Sequence, residues 1–576
     1  MEHTKSIIAP HGKTGRLVNL LASNKTARQL KERTASMPDV IFNDRQICDF
    51  ELIVTGVYSP LNGFMTREDY ENVLGHMRLK TGELWPVPIC LDIPESLASK
   101  LETGDSAAVR DNEGFLLGVI QIEDIWPVDI EKEALAVYGT LDKSHPGVDY
   151  LFHKSGKYYI GGPVEAINLP IHPDFRQIRM SPLEVRNIFK KLGWRNVVGF
   201  HTRQPLHRPQ FEMTIQAMEK AKANLLLLPV AGVTKPGDFD HYTRMRCHRQ
   251  MEKYYPPDSF VLNLIPLAMR MAGPRDAVLH MIMGKNFGCT HFIIGHDHAS
   301  PGRNSRGEKF YKYDAAILSA EKFSKEINVN VVPFDEMVYL PFEDEYEIKS
   351  RVPDNLETIS LSGNEIGRRI RAGKKIPEWA SFPEVIKELQ KSYPRPSKQG
   401  FTIFFTGLSG AGKSTIARIL YSKFLETGTR PVTLLDGDIV RRNLSSELDF
   451  SKAHRDINVK RIGFVAAEIT KNRGIAICAP IAPYEKTRLE IRSSIENYGG
   501  FFEIHVSTPL SLCEKRDRKG MYAKARAGLL KGFTGVDDPY EVPENPELRI
   551  DTTNLTPNEA AREVMICISQ KGFIYD

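Results

Sequence analysis

The chain has no apolar run near the ~18 residues a membrane span needs. Its best candidate, Val261 to Ala272, is interrupted by Asn263, Pro266 and Arg270. The opening stretch, Met1-Glu-His-Thr-Lys-Ser-Ile-Ile-Ala-Pro, lacks the apolar core of a secretory signal. Charge of one sign is also missing: 77 basic less 72 acidic residues leave only +5. That excess makes no case for a nucleic-acid surface, although it is friendly to anionic substrates. The seven cysteines, Cys48, Cys90, Cys247, Cys289, Cys478, Cys513 and Cys567, are dispersed without metal-ligand spacing. An odd, scattered set in a long chain predicts reduced thiols, hence a cytoplasmic protein without a membrane or nucleic-acid partner. Low-complexity segments and short-period repeats are absent as well.

What is present is an ordinary globular composition, 41% hydrophobic and 26% charged, over 576 residues. That length suits about three or four domains. The most informative stretch begins at Phe401-Thr-Ile-Phe-Phe-Thr, a run of mostly apolar, β-prone residues that reads as a buried strand. Gly407-Leu-Ser-Gly410-Ala-Gly412-Lys413-Ser414 follows and fits the P-loop pattern. An amphipathic helix from Thr415 completes the strand–loop–helix context. Glycines let backbone N–H groups turn toward phosphate oxygens, and the helix dipole adds to the attraction. Lys413 is expected to reach the β- and γ-phosphates, and the Ser414 hydroxyl to ligate Mg²⁺. The chain is therefore expected to bind ATP with Mg²⁺ through Gly407, Gly410, Gly412, Lys413, Ser414 and Thr415.

Upstream, residues 1–165 look β-rich, with short apolar segments such as Leu116-Leu-Gly-Val-Ile-Gln-Ile between turn residues. Residues 166–335 alternate strand-like runs at Asn196, Asn224, Phe260 and His291 with helical patterns, which implies a parallel sheet covered on both faces. Three polar clusters follow those strands. They are His201-Thr-Arg203-Gln204-Pro-Leu-His207-Arg208-Pro-Gln210, then Thr234-Lys-Pro-Gly-Asp with Tyr242-Thr-Arg244-Met-Arg246, and Gly295-His296-Asp297-His298. Arg and His at strand ends suit phosphate or sulfate oxyanions. A mixed segment, 336–391, leads to a Pro-rich linker at 392–400 and a last α/β domain at 401–576.

Within that domain, a second strand ends at Asp436-Gly-Asp438, where a carboxylate can hold Mg²⁺ or take a proton from an attacking hydroxyl. The motifs Asp436-Gly-Asp438-x-x-Arg441, Phe450-Ser-x-x-x-Arg455, Asn458, Gly463-Phe-Val-Ala, Pro483-Tyr484, Lys519-Gly-x-Tyr522 and Lys531-Gly-Phe533-Thr-Gly-Val-Asp-Asp538 resemble adenylylsulfate (APS) kinase over essentially all of 401–576. The resemblance implies transfer of the ATP γ-phosphoryl to the 3′-hydroxyl of APS, giving PAPS. It implies catalytic roles for Lys413 and for Asp438, the latter as base or Mg²⁺ partner. It places Arg441, Arg455 and Asn458 on APS, Phe450 and Phe533 about its adenine, and Lys519 in a lid. Three positions depart from the usual pattern: Asp449 for Gly, His454 for Asp, and Ala482 for the Ser of many members.

Residues 1–390 resemble ATP sulfurylase, through Tyr58-Ser-Pro-Leu-Asn-Gly-Phe-Met, Tyr242-Thr-Arg-Met-Arg, Ala268-Met-Arg-Met-Ala-Gly-Pro-Arg275 and His298-Ala-Ser-Pro-Gly302. The tandem order resembles bifunctional sulfurylase–kinases. It implies an α/β multidomain chain: a PUA-like β-rich domain, a Rossmann-like nucleotidyltransferase domain, a small mixed domain and the P-loop kinase. It implies sulfate and pyrophosphate as further ligands and a homo-oligomer, dimer or hexamer. The family signatures Gln-x-Arg-Asn, His-x-x-His and Gly-Arg-Asp-His read here as His201-Thr-Arg203-Gln204, His207-Arg-Pro-Gln210 and Gly295-His296-Asp297-His298. A single positioned donor lost from such a site costs ~10²–10³ in rate. Four altered positions lead us to expect weak or absent sulfurylase activity, against the alternative of a fully working bifunctional enzyme. His201 and His296 could substitute in part only when protonated, which an ordinary histidine pKa of about 6.5 makes pH-dependent.

Overall fold

The computed structural model describes residues 7–232, 239–449, 451–517 and 519–574, and of Asp438 the backbone. The chain divides into two compact units, Met1–Gly363 with Pro377–Glu388, and Asn364–Ile376 with Leu389–Asp576. The segment expected as one small domain, 336–391, is thus shared between them.

The first unit opens with a seven-stranded, largely antiparallel sheet. Its organising strand is Tyr158–Ala166, which pairs antiparallel with Gly63–Phe64, Leu91–Ile93, Leu116–Gln121 and Asp124–Pro127. The β-rich expectation holds, but helices are more frequent than the turn-rich sequence suggested. Asp44–Val54, for instance, starts on an Asn43–Gln46 capping box and buries Phe50, Leu52 and Ile53. Its apolar residues crowd nearly all round, so no helical stripe stands out in the sequence.

The same unit continues into a parallel five-stranded sheet ordered Phe260–Leu262, Asn224–Pro229, Val197–Thr202, His291–Gly295, Asn330–Phe334. The chain lays strands outward from Val197–Thr202 in one direction, then returns to lay His291–Gly295 on its other side. That reversal is a topological switch point, where parallel α/β sheets open a crevice at their carboxyl ends. The two strands that meet there carry His201 and Gly295, with His296 in the turn that follows.

The second unit has a parallel sheet ordered Val432–Asp436, Ile475–Ala479, Phe401–Thr406, Gly500–Val506, Leu548–Ile550. All six residues of Phe401–Thr406 are buried. Phe401, Ile403 and Phe405 pack with Ile416, Leu420 and Phe424 of the helix Lys413–Thr427, while Phe404 faces Ile462 and Ala466 of Lys452–Lys471. Period-two alternation thus serves two apolar layers at once, which is why the strand reads as a continuous hydrophobic run. None of the seven cysteines forms a disulfide. Among the described residues, no helix is long and apolar enough to cross a membrane.

Candidate active sites

The central strand Phe401–Thr406 delivers the glycine loop directly onto the N-terminus of Lys413–Thr427. Gly407 has φ +143°, and a Cβ there would lie 2.5 Å from the Val506 carbonyl oxygen. A side chain at that position would push the loop off the neighbouring strand. Lys413 is buried, and its Nζ donates to the carbonyls of Gly407 and Leu408, each at 2.8 Å. Burial lowers its pKa to about 8, against a smaller opposing pull from Cys513 and Asp436. The ammonium is held in the loop at a depth where an anion would restore its charge.

A cavity of about 590 Å³ opens over this loop. Gly410, Gly412, Lys413, Ser414 and Thr415 line one side, with Asp436 and Gly437 at the end of the edge strand. Arg441, Arg455, Asn458, Lys519 and Phe533 line the rest. Every described residue expected for ATP and APS except Gly407 therefore borders one space. Gly407 supplies the loop carbonyl that Lys413 grips. Phe450 and the Asp438 side chain lie outside what is described. Asp438 itself occupies the first turn of the helix Gly437–Asn443, immediately after the strand that ends at Asp436.

Polar geometry in the cavity is directional. Arg455 donates to Thr534 Oγ1 at 2.7 Å and to the Tyr484 hydroxyl at 3.1 Å, and pairs with Asp538 at 3.0 Å. Tyr484 donates to Asp538 at 2.9 Å, closing a triangle. The Arg455 Nε and Asn458 Oδ1 atoms are buried without partners among the described residues. Two orphaned polar atoms on a cavity wall are the signature of a site that awaits a ligand's donors and acceptors. Phe533 is set edge-on against Tyr522 at 5.0 Å, and the Tyr522 hydroxyl donates to the Ser409 carbonyl. Arg441 donates to the carbonyls of Leu448 and Asp449.

Among the lining groups, Thr552 stands out as one with no sequence signal, and it is reached by Arg516 of the basic stretch expected to close over the phosphates. Arg516 donates to the hydroxyl and carbonyl of Thr552, which itself bonds to Thr508 and the Ala411 carbonyl beneath the loop. Thr552 lies in no phosphate-binding pattern, so only tertiary proximity reveals it. Two of the three departures from the kinase pattern, Asp449 and His454, meet each other. Their Oδ1 and Nδ1 atoms are 2.8 Å apart, and the Asp449 N–H also approaches that ring nitrogen at 3.2 Å.

The other cluster of site residues lies at the switch point of the first unit. His201 is buried, its ring 4.3 Å from that of His280, and His280 Nδ1 lies 2.8 Å from His298 Nε2. Burial lowers His201 to about 3 and both His207 and His298 to about 4. Desolvation thus disfavours the protonated His201 that would be needed to replace a lost donor. His248, fully buried with neither ring nitrogen partnered among the described residues, is lowered to about 3 and belongs to no motif. His207 Nδ1 contacts Ser381 Oγ at 2.9 Å. Gln210 caps the helix Arg208–Ala221 by accepting from the His207 backbone N–H at 3.2 Å. His296 is drawn away to Asp314 at 2.6 Å and Asp335 at 3.5 Å, stacked on Tyr313. Asp297 pairs with Lys309 at the surface, and Gln204 folds back on Thr202. The Arg203 carbonyl accepts from the buried Arg244 at 2.8 Å. Thr234 to Asp238, part of the second expected cluster, fall outside the described residues.

Comparison with known proteins matches this division of labour. Residues 8–169 match the model for a PUA-like domain, 176–392 that for ATP-sulfurylase, and 399–551 that for adenylylsulphate kinase. Fold and sites thus define a nucleotide-handling transferase built from two enzyme families in tandem. A protein of Phaeosphaeria nodorum named sulfate adenylyltransferase is 47% identical over 98% of this chain and 99% of its own length. One of Mycosarcoma maydis with the same name is 46% identical over 98% of this chain and 100% of its own. The solved structure described as a hexameric APS kinase from Thiobacillus denitrificans superposes with a TM-score of 0.81 at 39% identity, over 99% of this chain and 100% of that one. The chain belongs to the family of fused ATP sulfurylase–APS kinase proteins.

Proposed function

We propose that the second unit phosphorylates the 3′-hydroxyl of APS with MgATP, producing PAPS, and that the sulfurylase-like site has weak or no activity. The observation that carries the first part is the single cavity shared by a P-loop and an APS-type set of cations. Lys413 would meet the β- and γ-phosphates and compensate charge that builds on the transferring group. Arg441 and Arg455 would hold the phosphosulfate, Asn458 the ribose, and Phe533 one face of the adenine. Asp438, at the strand end, would accept the hydroxyl proton or assist the metal. Lys519 belongs to the stretch that would close over the phosphates. Hard oxygen donors at Ser414 and Asp436 border the same cavity and fit Mg²⁺, which when bound would neutralise phosphate charge.

The second part rests on charge. Adenylyl transfer to sulfate develops negative charge on the α-phosphorus. The histidines facing the switch point are held neutral by burial, His296 is occupied by two carboxylates, and Gln210 serves as a helix cap. The names of the relatives favour a second reading, in which sulfate adenylylation persists with altered donors. The hexameric relative supports a homo-oligomer.

Two assays on the purified chain separate these readings. APS plus MgATP should yield PAPS and ADP at a readily measured rate. Molybdate-dependent pyrophosphate release from ATP, and ATP formation from APS and pyrophosphate, should stay near background. Robust turnover in either of the last two establishes the bifunctional reading instead, and absent PAPS formation removes the kinase assignment.

A further inference from the structure

The first unit holds another cavity, of about 640 Å³, remote in sequence from the altered signatures except at Arg208. Three elements build it. The hairpin Met337–Leu340 and Glu345–Ile348 pairs Tyr339 directly opposite Tyr346. The ring centroids of that pair are 5.3 Å apart at 52°, forming an aromatic corner. Trp379, from the segment after Pro377, lies parallel to Tyr339 within 6° at 5.4 Å and extends one wall. Glu212, on the helix Arg208–Ala221, closes the third side.

The chemistry of this lining is one-sided. Glu212, Asp344, Glu345 and Glu378 all border the hollow, and none of them forms an ion pair among the described residues. Asp344 accepts from the Tyr339 hydroxyl at 2.5 Å. Arg208 is the one cationic side chain in the lining. Its guanidinium is laid over the Phe382 ring at 4.4 Å, with Nε donating to the Glu378 carbonyl. The Tyr346 hydroxyl is buried and has no hydrogen-bond partner among the described residues. Ring faces, a lining of acidic residues with the Asp344 carboxylate on Tyr339, and an orphaned phenol oxygen together suit an organic ammonium. The π faces attract the cation and its methylenes, while the carboxylates and the phenol accept its N–H groups. A hard divalent metal would use the carboxylates and leave three aromatic rings without a role.

We propose that this hollow binds an aliphatic polyamine. The aromatic corner would take one alkylammonium end and the carboxylate rim would take the next. The proposal is independent of the kinase and sulfurylase readings, because it uses none of their site residues.

Trp379 supplies the readout. The other tryptophans, Trp85, Trp126 and Trp194, are at most 5% exposed, whereas Trp379 is half-buried at the cavity wall. The full chain is titrated with spermidine at constant ionic strength, following tryptophan emission and, in parallel, heat by calorimetry. Saturable binding is expected, with emission change lost in Trp379→Phe while the calorimetric signal persists. Glu345→Gln combined with Glu378→Gln should weaken binding by about tenfold or more, and Trp379→Leu by about tenfold. Circular dichroism confirms that each variant is folded. No saturable heat with spermidine overturns the proposal. So does binding that MgCl₂ at equal ionic strength abolishes, or that survives both the carboxamide pair and Trp379→Leu unchanged.

Discussion

The two candidate sites stand on the same kind of platform, a parallel sheet opening at its carboxyl edge, and differ in what burial does to their charges. In the P-loop cavity, Arg441, Arg455 and Lys519 border an open space, and the deepest cation, Lys413, is lowered only to about 8. At the switch point of the first unit, His201, His207, His248 and His298 fall to between about 3 and about 4. Arginine keeps its proton under desolvation and imidazole gives it up. The histidine standing at the amide position, His201, brings no charge because burial keeps its ring neutral, and the one standing at the arginine position, His296, is engaged by Asp314 and Asp335. A site for polyanions tolerates that badly, while the fold that carries it is untouched.

The largest test of this contrast is Lys413→Ala, which should lower kcat/KM for PAPS formation by at least about 10³, measured as ADP release with APS. The wild-type rate should also weaken for ATP as pH rises through about 8, because the free enzyme then presents a neutral amine. Lys413→Arg should flatten that limb if it retains any turnover. Retained activity in Lys413→Ala breaks the comparison at its stronger end.

The weaker end is probed by restoration. The combined variant His201→Gln, Gln204→Asn, Gln210→His and His296→Arg should raise ATP formation from APS and pyrophosphate by about 10² over wild type. A wild-type rate already as high as the variant's would show that the histidines suffice. Next in size, Arg455→Ala should raise KM for APS by about 10- to 100-fold, since charge-assisted bonds contribute roughly 1.5–3 kcal/mol. Arg455→Lys should recover little, because the lysine cannot reproduce the fork that meets Thr534, Tyr484 and Asp538.

Acidification should separate the units physically. Histidines whose folded pKa is depressed bind protons more readily in the unfolded chain, so stability is present above the unfolded value of about 6.5 and is lost as pH falls toward 4. Five such groups, His145, His201, His207, His248 and His298, are lowered to about 3 or about 4 in the first unit, and burial holds His280 well below its ordinary value too. The second unit holds only His454, at the surface, and His505, lowered to about 4. Hydrogen exchange at pH 7.5 and pH 5 should show protection falling chiefly in Val197–Thr202 and its neighbours. Equal loss in Phe401–Thr406 would count against it. The smallest effect belongs to Asp449 and His454, whose side chains are 69% and 39% exposed. Asp449→Gly and His454→Asp should each change KM for APS by about twofold or less. A double-mutant cycle should show that the two changes are not additive.

Much of this was legible in the sequence because it is local. The apolar run at Phe401, the spacing of Gly407, Gly412 and Lys413, and the Pro-rich boundary near 392–400 each report on a few adjacent residues. The alternation of strands and helices over 166–335 gave the parallel sheet. Helices such as Asp44–Val54, buried nearly all round, have no polar face to set their period and were missed for that reason. Thr552 and His248 escaped because each joins its site through chain segments far apart in sequence. Sequence alone determined which donors are present: a P-loop lysine and APS-type arginines in one half, substituted signatures in the other. The tertiary structure decided what those donors are worth. It fixed whether His201 keeps a proton, whether Gln210 faces a ligand or caps a helix, and that Asp449 and His454 meet. Protonation and partnership depend on how far water is excluded and on which segments come together, and neither is a property of neighbouring residues along the chain.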